Sequence, residues 1–228
     1  VIAASKLPES KFVTNAKERG RFQNLVGNIN FKHTFDSTGK EITADFDYGT
    51  FNNHNISDFI TGFYTLNNSP LQDEYLLSGD QQGKISLATV KADYVHPLKN
   101  GAKLEAGFKT SFVKTDNDVV FYDKSNGIPE YDSSKSNHFI YNENNHALYI
   151  NFNKEFKKWS LMAGLRAEQT NIKGDQLMDD ADFDSSYLQI FPSLFLNYRL
   201  GAEKTIGLSV SRRIDRPSYS QLNPIPFF

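Results

Sequence analysis

The stretch Trp159-Ser160-Leu161-Met162-Ala163-Gly164-Leu165-Arg166-Ala167-Glu168 alternates apolar residues with polar or small ones almost without a break. Successive side chains of a β-strand point to opposite faces, so the pattern predicts a strand with one apolar and one polar face. The apolar alternation returns at residues 188–198, beyond a polar interval. The two stretches therefore predict two long neighbouring strands.

The same alternation recurs throughout the chain and gives about eight candidate strands, half of them about 10–15 residues long. The further candidates lie at 22–35, 42–48, 85–96, 104–112, 147–152 and 206–211. Strands of globular proteins average about five or six residues, whereas a strand tilted across a bilayer needs about 9–11. The length therefore favours strands that cross a membrane.

The connections between these strands are predicted to be short and long in turn. Short turns are expected at 36–40, 97–101, 154–158 and 200–204, and long polar loops at 50–84, 116–137 and 174–186. Transmembrane β-barrels have short turns on one side and long loops on the other. The predicted fold class is therefore all-β: an antiparallel up-and-down transmembrane β-barrel segment, part of a larger barrel.

Composition limits the possible functions. Hydrophobic residues make up 39% of the chain, which suits barrel strands because only every second residue faces lipid. The net charge of −2 argues against a nucleic-acid partner. The absence of cysteine removes disulfides, thiolate catalysis and cysteine-based zinc sites.

Three aromatic residues, Tyr94, Trp159 and Tyr198, lie on the apolar faces within a few residues of predicted short turns. This position is typical of the aromatic girdle at a membrane interface, so they are the interfacial aromatic candidates. The alternative is that β-rich proteins simply use many aromatic residues.

Three segments together resemble the barrel region of the TonB-dependent receptor superfamily of outer-membrane proteins, in the form common in the Bacteroidetes. The first segment is Lys91–Leu98 followed by Leu104–Lys109, and the second is Trp159–Glu168. The third combines Phe191-Pro192-Ser193 with the tail Ser211–Tyr219 and Leu222-Asn223-Pro224. The resemblance covers about residues 85–228.

This resemblance implies a barrel of about 22 strands around a plug domain, in the cell outer membrane. It also implies uptake of an extracellular nutrient, of unknown identity, driven by the TonB energy-transducing system. No plug domain, TonB-contacting segment or closing strand is recognisable, so we expect a barrel fragment. The expected division is an extended lead-in or external loop at 1–20 and the barrel segment at 21–228, with outer-membrane lipid as a partner.

The polar faces carry the charged candidates. If the strands cross a bilayer, these side chains face the lumen, because arginine or lysine on the lipid face costs about 2–4 kcal/mol. They could line a channel and contact a plug, or form the ordinary ion-pair network of a barrel interior, which is the favoured interpretation. The lumen-facing polar candidates are Asp93, Glu105, Lys109, Arg166, Glu168 and Arg213. The residues expected to face lipid are Ala88, Val90, Leu148, Ile150, Leu161, Leu165, Leu194 and Leu208.

No catalytic or cofactor motif is recognisable, so we expect no enzyme, no cofactor and no metal site. The histidines are scattered and include no HExxH pair. Five aspartates crowd the predicted third loop, where a solvated acidic loop is favoured over a calcium site because the EF-hand spacing is missing. They are Asp175, Asp179, Asp180, Asp182 and Asp184.

The tail cluster Arg212, Asp215 and Arg216, with Arg213 between them, follows an apolar strand and precedes Pro217. Because proline lacks a ladder donor, the strand is expected to weaken at about Asp215. The arginines could bind lipopolysaccharide phosphates, or form ion pairs at the loop base, which is favoured.

Two functions from different classes remain. The leading one is part of an outer-membrane receptor and transporter barrel. The alternative is a soluble envelope β-sheet or sandwich that binds a ligand through its long loops. The two differ in detergent dependence, because only the first exposes a broad apolar surface.

Overall fold

A computed structural model describes residues 10–178, 181–201 and 203–214. Its strands are β1 (Ser10–Thr34), β2 (Glu41–Thr65), β3 (Tyr75–Pro97), β4 (Ala102–Asp123), β5 (Glu130–Tyr131), β6 (Asn137–Glu155), β7 (Trp159–Gln176), β8 (Ala181–Arg199) and β9 (Thr205–Ser211). A 3-10 turn covers Lys99–Gly101. Among the described residues, no helix is long and apolar enough to cross a membrane.

All the strands belong to one antiparallel sheet in the order β1-β2-β3-β4-β6-β7-β8-β9, and β5 adds to β4. The prediction of an all-β, up-and-down sheet of about eight strands is thus confirmed. Within the described residues the sheet does not close, and β1 and β9 form its edges.

The strands are longer than predicted, and this corrects the loop assignments. β2 alone has 25 residues, which corresponds to about 80 Å of extended chain. Most of the residues in the loops predicted at 50–84, 116–137 and 174–186 belong to strands, and the first two connections shrink to 66–74 and 124–136. In the third, β7 continues to Gln176 and β8 begins at Ala181. Likewise, β1 begins at Ser10, so residues 10–20 are already paired with β2; residues 1–9 lie outside the described part.

The short turns have clear local causes. In the first one, the Thr38 amide donates to the Asp36 carboxylate over 2.9 Å, and Gly39 adopts a φ of 90°. The bonds from the Thr38 hydroxyl and amide lower the pKa of Asp36 below its ordinary value. Gly101 at a φ of 71° closes the second turn, next to Asn100. Positive φ values favour glycine and asparagine, which explains these residues.

The pairing register sorts the side chains onto two faces of very different exposure. Ala147 is 3% exposed and Glu168 is 8% exposed, whereas Leu148 is 68% and Leu165 is 50% exposed. We call the face of Ala147 and Glu168 the inner face and the opposite one the outer face. The side chains of the inner face are therefore the more crowded ones in this single layer.

The polarity of both faces changes midway along the strands. We call the half of the sheet next to the short turns the proximal half, and the remainder the distal half. On the outer face, Leu148 and Leu165 of the proximal half give way to Lys84 and Asp116 of the distal half. On the inner face the order is reversed, and the distal half carries the sheet's hydrophobic cluster. This cluster contains Phe139, Tyr141 and Ile172, with Phe183 and Tyr187 packed against it.

Candidate functional site: a polar network on the inner face

The structure places the predicted residues on the faces that alternation assigned to them. The predicted apolar set Ala88, Val90, Leu148, Ile150, Leu161, Leu165, Leu194 and Leu208 lies together on the outer face. Lys91, Asp93, Arg166 and Glu168 lie on the inner face. That the outer face contacts lipid and the inner face a lumen remains a prediction.

Three of the charged candidates join one chain of contacts across the inner face. Asp93 on β3 pairs with Lys91 over 2.5 Å and accepts a hydrogen bond from the Tyr149 hydroxyl. The Arg166 guanidinium lies 5.7 Å from the centre of the Tyr149 ring and pairs with Glu168 through its Nε atom. We call Lys91, Asp93, Tyr149, Arg166 and Glu168 the inner-face network. It connects β3, β6 and β7 and passes over β4.

Gly107 on β4 is what allows this crossing. In the register Asp93 pairs with Gly107, and Gly107 pairs with Tyr149. A Cβ atom at Gly107 would lie 2.5 Å from the Tyr149 hydroxyl and 2.7 Å from the Ala92 carbonyl oxygen. The missing side chain therefore leaves space for the tyrosine ring above the β4 backbone, so that its hydroxyl reaches the next strand.

Tyr149 and Gly107 are the functional residues that the sequence reasoning missed. Both were assigned to polar faces by alternation, but neither was singled out. An aromatic side chain on an otherwise polar face was the available signal. Its partner could not be found, because alternation fixes a residue's face and not its cross-strand neighbour.

The network balances charge in a crowded position. Glu168 is nearly buried, and a carboxylate out of water is costly unless it is paired. Arg166 supplies the opposite charge, and the electron-rich Tyr149 face adds a cation–π contact, which is worth about 0.5–2 kcal/mol. The arrangement holds fixed charges on the inner face and provides no nucleophile–base pair.

The other lumen candidates do not join this network. Glu105 pairs with Lys103 and accepts a bond from Asn153 over 3.4 Å. Lys109 is exposed opposite Lys91 and has no ion-pair partner among the described residues. Arg213 is exposed just beyond β9.

The three interfacial aromatic candidates lie on the outer face at the short-turn end, as predicted by position. Trp159 and Tyr198 are cross-strand partners whose ring centroids are 4.5 Å apart. Tyr94 contacts Phe35 edge-on at 6.4 Å and stacks on His96 at 6.0 Å. Their assignment to a membrane interface remains a prediction.

The tail cluster is only partly described, because Asp215 and Arg216 lie outside the described residues. Arg212 donates to the Ile190 carbonyl over 3.1 Å, and its guanidinium lies 5.9 Å from the centre of the Phe191 ring. β9 ends at Ser211, which pairs with Ser193, so the strand stops earlier than the predicted Asp215. The next residue, Arg212, donates its backbone N–H to the Pro192 carbonyl over 3.1 Å. Proline cannot donate to the ladder, so Pro192 offers a local reason for the end of the pairing.

The five aspartates do not share one loop. Asp175 lies on β7 and pairs with Lys173 over 2.6 Å, while Asp182 and Asp184 lie on β8. Asp179 and Asp180 lie outside the described residues. Among the residues that are described, no group of histidine and carboxylate side chains is arranged to hold a metal ion.

The sequence and the fold were compared with those of known proteins. A search of the curated proteins found no match. The fold resembles that of the ferric citrate transporter FecA in its unliganded form, with a TM-score of 0.45 and 11% sequence identity. The likeness covers 75% of this chain but only 28% of that chain. The profile of the outer membrane protein beta-barrel family matches residues 33–228, which is most of the sequence. The chain therefore belongs to the outer membrane protein beta-barrel family and is located in the outer membrane.

Proposed function

We propose that this chain forms part of the wall of an outer-membrane receptor and transporter barrel that takes up a nutrient by a TonB-dependent route. The single observation that carries the proposal is the inner-face network, which keeps charged groups on the crowded face of the proximal half, where the opposite face is apolar. Barrel walls have this polarity when their interior is an aqueous or plugged passage.

The open sheet supports a place in a larger barrel. Unpaired strand edges are not tolerated in lipid, because their backbone groups would lack hydrogen-bond partners. β1 and β9 therefore need further strands beside them in the membrane. The sequence resemblance of residues 85–228 to Bacteroidetes-type receptors supports a plug domain and the TonB system as partners.

The soluble binding module has less support. A soluble sandwich needs a second layer over its apolar face. In the described residues there is one sheet, and outer-face side chains such as Leu188 and Val210 are more than half exposed, at 65% and 61%. Lipid is the natural cover for a continuous apolar surface of this kind.

The test is growth of the native host on defined media in which an iron chelate, cobalamin or a polysaccharide is limiting. Strains lacking either this protein or the TonB-type transducer should lose growth on the same nutrient. Re-expression of the complete protein should restore growth, and Asp93→Asn with Arg166→Gln should restore it less well at equal protein amount. The proposal fails if the protein is dispensable on every medium, or is required where the transducer is not.

A further inference from the structure

A polar groove of about 360 Å³ lies on the outer face of the distal half. One cross-strand row crosses it from β1 to β6: Arg21, His54, Gln82, Asp118 and His138. The adjacent row, nearer the proximal half, contributes Gln23, Asn52, Lys84 and Asp116. We call this site the outer groove.

Some of these side chains form hydrogen bonds or ion pairs within the protein, and others do not. His54 pairs with Asp80 at 2.8 Å, and His138 pairs with Asp116 at 2.9 Å. These two histidines and Asp116 are therefore already paired within the protein. Arg21 and Lys84 have no hydrogen bond or ion pair from their side chains among the described residues, and the same holds for Lys114, one row closer to the proximal half. Three cations are thus available to a ligand.

The outer groove lies just beyond the apolar surface, on the side away from the short turns, which is the extracellular side when the short turns are periplasmic. Lys84 is four residues from Ala88 on the same strand, which is about 13 Å along the strand. At a strand tilt of about 45°, this is about 9 Å along the membrane normal. Lys114 and Lys84 therefore stand at the height where lipid headgroups begin, and Arg21 lies one row farther out, in the row of Asp118 and His138.

The chemistry of the outer groove suits a phosphorylated sugar. Arginine binds phosphate through paired N–H donors, and lysine adds a point charge. The amides of Gln23, Asn52 and Gln82 offer both donors and acceptors, which match hydroxyl groups. Asp118 is an acceptor for further hydroxyls at the far end. A bare anion would use only the cationic end.

We propose that the outer groove binds the phosphorylated sugar headgroup of a glycolipid in the outer leaflet, with Arg21, Lys84 and Lys114 holding phosphate. The acyl chains of this lipid lie against the outer face of the proximal half. The inference rests on the outward orientation of that face in the proposed function and requires no transport activity.

The test uses the complete protein, purified from its own outer membrane in mild detergent, and lipopolysaccharide from the same host. The triple variant Arg21→Gln, Lys84→Gln, Lys114→Gln is compared with Lys99→Gln, Lys157→Gln, Lys158→Gln, which removes equal charge at exposed positions of two short turns. Bound lipopolysaccharide per protein is measured by mass spectrometry after washing. We expect about tenfold less on the first variant and no change on the control, with heat-modified gel mobility native in both.

Three results would overturn the proposal. The first is equal retention by both variants. The second is unchanged binding of phosphatase-treated lipopolysaccharide, which would remove the role of phosphate. The third is equally tight binding of the deacylated saccharide or of inorganic phosphate, which would make the occupant a soluble ligand. In separate Leu165→Cys and Arg166→Cys variants, labelling with a membrane-impermeant reagent reports which face meets lipid. A failure of the proposed function is thereby seen separately from a failure of lipid binding.

Discussion

The proximal and distal halves of the sheet are made from the same strands but have opposite polarity. Near the short turns the outer face is apolar and the inner face holds the inner-face network. In the distal half the outer face has the polar outer groove, and the inner face packs Phe139, Tyr141 and Ile172. Strand alternation alone does not decide which face is apolar. We infer that the solvent on each side decides it, and the account predicts lipid beside the outer face of the proximal half and water beside that of the distal half.

The largest expected effect comes from a charge on the outer face of the proximal half. Leu165→Arg should destabilise the protein by about 2–4 kcal/mol, because arginine would face hydrocarbon. Ile140→Arg on the same face of the distal half should cost less than about 0.5 kcal/mol. Urea unfolding in lipid vesicles, followed by tryptophan fluorescence, measures both. An equal loss of unfolding free energy in the two variants would show that the outer face has the same surroundings in both halves.

The second effect tests a feature that the halves share. Gly107 under Tyr149 in the proximal half corresponds to Gly79 under Phe121 in the distal half, where a Cβ would lie 2.5 Å from the ring. Gly107→Ala should cost about 1–3 kcal/mol, since the ring and the Ala92 carbonyl would both have to move. Gly27→Ala is the control, because nothing lies within 4 Å of its Cβ position. A neutral Gly107→Ala would show that Tyr149 does not need this space.

A third effect concerns the balance of charge in the inner-face network. Arg166→Ala should cost about 1–3 kcal/mol, because nearly buried Glu168 would lose its cation. Adding Glu168→Ala should recover part of this loss, as double-mutant cycles detect for paired charges. Additive losses in the same unfolding assay would contradict the pairing.

The smallest effect is a pH dependence of the distal loop 124–136. Bonds from Lys135 and Ser134 lower the pKa of Asp132 below its usual 3.8, and Asp132 raises the pKa of Lys135. A lowered carboxyl pKa stabilises the loop above about pH 3.8, and this contribution is lost as the pH falls through the folded-state pKa.

Hydrogen exchange, corrected for its intrinsic pH dependence, should show this loop opening in acid while the strands of the proximal half stay protected. Asp132→Asn should weaken the acid transition and leave the loop more open at neutral pH; the remaining transition belongs to Asp123, whose pKa is lowered by bonds from Ser125. An acid transition of unchanged size in this variant would assign the effect to another group.

Much of the proximal half could be predicted from the sequence, and the distal half could not. On β2 the apolar positions Phe46 and Tyr48 are even-numbered, but beyond them apolar residues occur at odd positions such as Phe59 and at even ones such as Ile60. This loss of alternation resembles the end of a strand, which is why the sequence predicts loops where the strands continue. A change of solvent along one strand is expected to disturb the pattern without breaking the strand.

The candidate site was predictable as a set of residues and not as a network. Asp93, Arg166 and Glu168 could be chosen because charge on a membrane-crossing strand must avoid lipid. Their connection depends on Tyr149 crossing Gly107, which follows from the register of three strands. Register is set by turns and packing over the whole sheet, so local alternation does not contain it.

The central claim is that the outer face meets lipid in the proximal half and water in the distal half. Spin labels at positions 148 and 165 and at positions 84 and 138, in the complete protein in vesicles, test it by power saturation with oxygen and a water-soluble nickel chelate. The account predicts oxygen-dominated relaxation at 148 and 165 and nickel-dominated relaxation at 84 and 138. The same relaxation profile at all four positions would contradict it.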